Sequence, residues 1–227
     1  MQIENIDYGF VQTVENGIVE RVSCKYNDFC VVHFYDRPPK KLSVILNSYH
    51  SQYGIPVSND GRKLFIGYWE KRLDDFKKGL QAYDIESGSM IWRVNEEKIR
   101  SIFVYSDYLV TVSASNSILK INIDSGEVLG QIKSTTIEIA YDLGFPYVAV
   151  DTISGKLSII DVENMLVVKA YSKKTVNPSN CLSCVIQDVI RKDNMLTVIG
   201  FEDYPQMNYS SSDQKDFNRI IDTSFGA

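Results

Sequence analysis

A segment ending in a tight turn returns along this chain at an almost constant spacing. Leu80-Gln-Ala-Tyr-Asp84-Ile-Glu-Ser-Gly88 is matched by Ile118-Leu-Lys-Ile-Asn122-Ile-Asp-Ser-Gly126 and then by Leu157-Ser-Ile-Ile-Asp161-Val-Glu-Asn164, with offsets of 38 and 39 residues. One further step back, Lys41-Leu-Ser-Val-Ile-Leu46 is similar to Lys156-Leu-Ser-Ile-Ile-Asp161. Self-similarity at about 40 residues marks stacked supersecondary units, each too small to bury its apolar face alone. It therefore constrains architecture more tightly than local propensity does.

Each unit breaks into short runs rich in Val, Ile, Tyr and Phe, separated by Asn59-Asp60-Gly61, Glu86-Ser87-Gly88, Asp124-Ser125-Gly126 and Ser154-Gly155. β-branched and aromatic side chains suit a pleated surface, and Gly and Asx tolerate the positive φ of hairpin turns. The runs predict strands at 99–105, 108–113, 118–123 and 127–132, four antiparallel strands that make one propeller blade. The second strand recurs at 29–34, 63–68, 108–113, 147–152 and 195–201, which predicts five blades. The last unit lacks a fourth strand after Phe217-Asn-Arg-Ile-Ile-Asp222, and a surplus strand, Tyr8 to Val14, precedes the first. The expectation is a single all-β domain over residues 1–227, a five-bladed β-propeller closed by pairing of the N-terminal strand with the C-terminal blade.

Leu80-Gln-Ala-Tyr-Asp-Ile-Glu-Ser-Gly-Ser-Met-Ile-Trp92 resembles the repeat of the quinoprotein (pyrroloquinoline-quinone-like) and WD40-like β-propellers, with an Ala-x-Asp, a Ser-Gly turn and a Trp that docks between blades. In the next units Gly130 and Val167-Val168 stand where that Trp would be. The resemblance implies the architecture. It does not carry over the quinone, since the larger dehydrogenases hold it beside adjacent cysteines and a metal that this sequence lacks, and no cofactor is expected. Asp84, Asp161 and Asp222 are read instead as turn acceptors.

The charge balance, 24 Lys and Arg against 29 Asp and Glu, is −5, with the basic residues scattered. Such a surface offers no stripe for phosphate neutralisation, so no nucleic-acid partner is expected. No apolar run reaches membrane-spanning length and the N-terminal segment has no apolar h-region, so the expectation is a cytoplasmic monomer with no membrane partner. Cys24, Cys30, Cys181 and Cys184 are expected to be structural thiols, with no metal site.

Long connections concentrate candidate chemistry. They are Asp36–Lys41, Glu70–Lys78, Tyr204–Gln214 and Ser172–Asn180, which a closed ring would gather on one sector of one face. They carry, with Trp69 directly before the second, Arg37, Lys71, Arg72, Asp74, Asp75, Phe76, Tyr204, Met207 and Tyr209, the mixture of aromatic, Met, Arg and rim charges that protein interfaces concentrate. The reading is a non-catalytic binder of another protein, with no catalytic residue. By analogy, a small acidic chain with one elaborated face also resembles a bacterial immunity protein, which covers the active site of a toxin. The alternative is a carbohydrate-active enzyme or lectin that uses carboxylates of the inner strands, Glu20, Glu138, Asp142 and Asp188, around the central channel.

Overall fold

The computed structural model describes residues 10–13, 17–25, 29–43, 57–58, 60–72, 75–95, 99–113, 116–133, 137–152, 155–177, 184–193, 195–202 and 215–222. The chain divides into two compact units, Met1–Gln131 and Ile132–Ala227. The first holds β1 (Phe10–Thr13), β2 (Val19–Lys25), β3 (Phe29–Phe34), β4 (Lys40–Leu42), β5 (Lys63–Arg72), β6 (Asp75–Asp84), β7 (Met90–Asn95), β8 (Ile99–Val104), β9 (Tyr108–Ser113), β10 (Ser117–Asn122) and β11 (Val128–Lys133), whose last residues enter the second unit. The second holds β12 (Ile137–Asp142), β13 (Tyr147–Thr152), β14 (Leu157–Asp161), β15 (Leu166–Tyr171), the short helix α1 (Lys173–Val176), β16 (Cys184–Lys192), β17 (Met195–Glu202) and β18 (Lys215–Asp222). The described strands form five antiparallel sheets, ordered β1-β2-β3-β4, β5-β6-β7, β8-β9-β10-β11, β12-β13-β14-β15 and β16-β17-β18.

Burial follows position within the sheet. β3, β9 and β13 are inner strands of their sheets and are buried along nearly their whole length, which is why they read as continuous apolar runs. β7, β11 and β15 are edge strands and largely exposed. Apolar faces are covered sheet against sheet. In the first unit, Val22, Val32 and Leu42 pack with Leu64, Ile66 and Ile85, and Phe65, Leu80 and Ala82 pack with Ile99, Leu109 and Ile121. In the second, Ala149, Leu157 and Ile159 pack with Val189, Leu196 and Val198.

The repeated turns do what their side chains predict. Asp84 Oδ1 accepts from the Ser87 N–H at 2.6 Å, Asn122 Oδ1 from Asp124 and Ser125 at 2.9 Å each, and Asp161 Oδ1 from Glu163 at 2.9 Å and Asn164 at 3.0 Å. The hydrogen bonds from Ser87, its backbone N–H first, hold the Asp84 carboxyl below the ordinary carboxylate range. The turn expected after Asp222 falls on residues 223–227, outside the described residues. Gly88 and Gly126 close the first two turns at φ +72° and +73°; in the third the equivalent position is Met165, at φ +53°. A side chain in that left-handed region is disfavoured, so Met165→Gly is expected to raise stability by about 0.5–1 kcal/mol in denaturant unfolding.

Two expectations are corrected here. The N-terminal strand pairs with β2, with Phe10 opposite Cys24 and Thr13 opposite Arg21, while β18 pairs with β17. A hairpin across a few residues closes at far lower entropic cost than pairing with a segment some 200 residues away, and Gly17, at φ +73°, adopts the left-handed conformation that a tight connection uses. Cys24 and Cys30 are not free thiols. They face each other across the β2–β3 ladder with Cα atoms 4.0 Å apart, both wholly buried, and are joined as a disulfide. Protein purified without reductant is expected to be lighter than the reduced form by the two hydrogens lost on forming the bond, and a mass unchanged by reduction contradicts the pairing. Cys181 lies outside the described residues and Cys184 begins β16.

Candidate interaction surface

The largest departure from the expected loops is at Glu70–Lys78. It is not a loop: β5 and β6 run on as a two-stranded arm, pairing Tyr68 with Gly79, Trp69 with Lys78, Glu70 with Lys77, Lys71 with Phe76 and Arg72 with Asp75. β7 stops opposite Gly79, so the arm extends past the third strand of its sheet. The ladder sets Glu70 opposite Lys77 and Arg72 opposite Asp75, in a ribbon that no apolar alternation predicts. Trp69, Lys71, Arg72, Asp75 and Phe76 are therefore brought together on one element; Asp74 lies outside the described residues.

Arg37 stands between β3 and β4 and is already engaged within the fold. Its guanidinium lies 3.8 Å from the centroid of the Phe34 ring and 3.7 Å from Glu86 Oε2, and Lys40 Nζ is 3.7 Å from Glu86 Oε1. Both ion pairs are exposed and contribute little to stability, but they tie the 36–41 connection to the 84–88 turn. Tyr204, Met207 and Tyr209 lie outside the described residues. The 172–180 connection contains α1, and the Arg219 Nη1 donates to the Asn177 carbonyl beside it.

The carboxylates of the alternative reading fall on three strands. Glu20 is on β2, Glu138 and Asp142 are on β12, and Asp188 is on β16. Asp142 Oδ1 accepts from the Gly144 N–H at 2.9 Å and Asp188 Oδ1 from the Val189 N–H at 2.8 Å, so each is committed to local backbone. Glu20 and Glu138 share a feature that the sequence does not announce. The ladder skips a residue between Val19 and Arg21, between Ile99 and Ser101, between Ile137 and Ile139, and between Ile186 and Asp188. A β-bulge thus recurs near the start of four strands, occupied by Glu20, Arg100, Glu138 and Gln187. His33, opposite Arg21, is held below the ordinary imidazole range by burial and then by the Arg21 charge, and is neutral at neutral pH. Among the described residues, no three His, Cys, Asp or Glu side chains stand together as metal ligands do. No described helix is long and apolar enough to cross a membrane.

No protein-family model matches the chain, and no curated protein does. Solved structures do. BamB from Moraxella catarrhalis is 14% identical, with a TM-score of 0.60 over 89% of this chain and 64% of that one. Hydrazine synthase of Kuenenia stuttgartiensis is 12% identical, with a TM-score of 0.65 over 98% of this chain and 65% of that one. A chain of the Mitotic Checkpoint Complex is 13% identical, with a TM-score of 0.58 over 85% of this chain and 58% of that one. The chain spans less than two thirds of the length of each. The likeness is one of fold, and the fold is all-β and β-propeller-like, with WD40/PQQ-like sheets.

Proposed function

We propose that this chain is a non-catalytic, monomeric, cytoplasmic protein-binding module whose five sheets serve as the blades of a five-bladed propeller. The observation that carries the binding reading is the β5–β6 arm, which extends past its own sheet and gathers Trp69, Lys71, Arg72, Asp75 and Phe76. Aromatic residues set among charges are the composition of interface centres and rims. A two-stranded extension costs backbone entropy that its own sheet does not recover, and a contact with a partner offsets it. The likeness to a chain of a multi-protein checkpoint complex supports a scaffold role.

The test is site-specific photo-crosslinking in the organism that encodes the chain, with the crosslinker in place of Phe76 and a control at Glu127 of the β10–β11 turn. The expected result is one protein crosslinked from Phe76 and not from the control. An inhibitor of a toxin is one form such a binder takes, so the neighbouring gene product is the first candidate to compare. Equal labelling from both positions, or none, contradicts the reading.

A further inference from the structure

The disulfide stands in the middle of the first sheet rather than at its margin. Register places Phe10, Cys24, Cys30 and Leu42 in one row across β1, β2, β3 and β4. The bond therefore crosslinks the two central strands, and both cysteines are wholly buried. They belong to the cluster in which Val22, Val32 and Leu42 pack with Leu64, Ile66 and Ile85. That cluster holds the first sheet against the second, and close-packed interiors transmit strain, so a change at the bond is felt where the two sheets meet.

Reduction costs packing. Bonded sulfurs stand about 2 Å apart, whereas two separate thiols keep the roughly 3.5 Å of non-bonded heavy atoms. The ladder holds the two Cα atoms at 4.0 Å, and Val22, Val32 and Leu64 beside them are wholly buried too. Thiols formed in place overpack that core unless β2 and β3 part or the first sheet moves off the second.

The bond is also close to a place where it can be reached. One described rung lies beyond it, Lys25 opposite Phe29, with Lys25 exposed and Lys41 Nζ 3.9 Å from the centroid of the Phe29 ring. Separating that end of the hairpin breaks few backbone pairs, and openings of that size cost far less than unfolding the domain.

We infer that Cys24–Cys30 is a reversible redox latch: a dithiol reductant opens it through the β2–β3 hairpin end, and opening loosens the first sheet against the second. A thiolate of the reductant attacks one sulfur, and the other leaves as a thiolate that takes a proton. The reductant's second thiol then displaces the first. The reductant closes into its own disulfide and both cysteines end as thiols, so two electrons and two protons have passed to the protein. A disulfide oxidant reverses the exchange. In a reducing compartment such a bond forms on oxidation and is undone afterwards, which makes it a signal rather than a permanent brace. The inference goes beyond the binding reading and does not rest on it.

The test uses the full chain and dithiothreitol, with free thiols counted by mass after alkylation. In buffer alone the bond is expected to reduce, the melting temperature to fall by about 4 °C or more, and glutathione disulfide to restore both. Urea below the unfolding transition separates local from global opening. The rate of reduction is expected to change less than about twofold between zero and 1 M, whereas a route through the unfolded chain raises it about tenfold. Cys24→Ala with Cys30→Ala is the control, expected to melt at one temperature with and without dithiothreitol. Where that variant does not fold, the urea dependence of the unaltered chain decides. A rate that follows global unfolding, a reduced chain as stable as the oxidised one, a bond that glutathione disulfide does not re-form, or a melting shift shared by the double variant overturns the inference.

Discussion

Replacing Trp92 with alanine is expected to destabilise the first unit by about 3–5 kcal/mol, the range for deleting a large buried aromatic side chain. Trp92 sits on β7 at 8% exposure, its ring 6.0 Å from that of Phe65 in its own sheet. From there it crosses to the next sheet. Its indole N–H donates to the Ile123 carbonyl at 3.1 Å, and its ring lies where a Cβ on Gly126 would approach Cδ2 to 2.7 Å. Alanine leaves a cavity and an unpaired carbonyl together. Trp92→Phe keeps much of the volume and loses the hydrogen bond, so it should fall between wild type and alanine. The midpoint of denaturant unfolding reads the order, and an alanine variant within about 1 kcal/mol of wild type contradicts the docking role.

Gly200→Ala is expected to destabilise the second unit by about 3 kcal/mol, the upper end of what overpacking usually costs. Gly200 lies in β17, paired with Ile186 on one side and Phe217 on the other. A Cβ built there collides with the Val185 carbonyl oxygen and stands 2.7 Å from Phe217 Cζ. The phenyl ring can turn aside, but a backbone carbonyl held in a ladder cannot, so the strand itself must shift. Gly200→Ala combined with Phe217→Leu should recover only the ring's share. Full recovery in the double variant contradicts the backbone origin of the effect.

The parts of the fold that were legible in the sequence are those whose residues carry their own pattern. The strands at Phe29–Phe34, Tyr108–Ser113 and Tyr147–Thr152 match the expected bounds, because runs buried on both faces read as unbroken apolar stretches. Asp84 and Asp161 act as the turn acceptors expected of them. The docking Trp was legible for Trp92, whose indole N–H reaches the Ile123 carbonyl of the next sheet.

The pairings were less legible. Glu70–Lys78 reads as a loop because its charges hide any alternation; the signal was the mirrored order of Glu70 and Arg72 against Asp75 and Lys77, which has meaning only once the strand folds back. The same holds for Cys24 and Cys30, which meet only once β2 and β3 pair, and for the N-terminal hairpin, where the expectation followed from ring closure. The recurrent bulges at Glu20, Arg100, Glu138 and Gln187 have no common residue type, so nothing in composition points to them. Of the candidate site, the composition of the arm was legible and its shape was not.

Shortening the arm tests the central claim most directly. Residues 69–78 are replaced by a two-residue Asn-Gly turn joining Tyr68 to Gly79, which the ladder already pairs. The account predicts a melting temperature close to that of wild type, since among the described strands the excised segment pairs only with itself, together with loss of the partner captured by the full-length arm, an affinity drop of about a hundredfold or more. Partner binding retained at wild-type affinity by a folded, armless chain would contradict it.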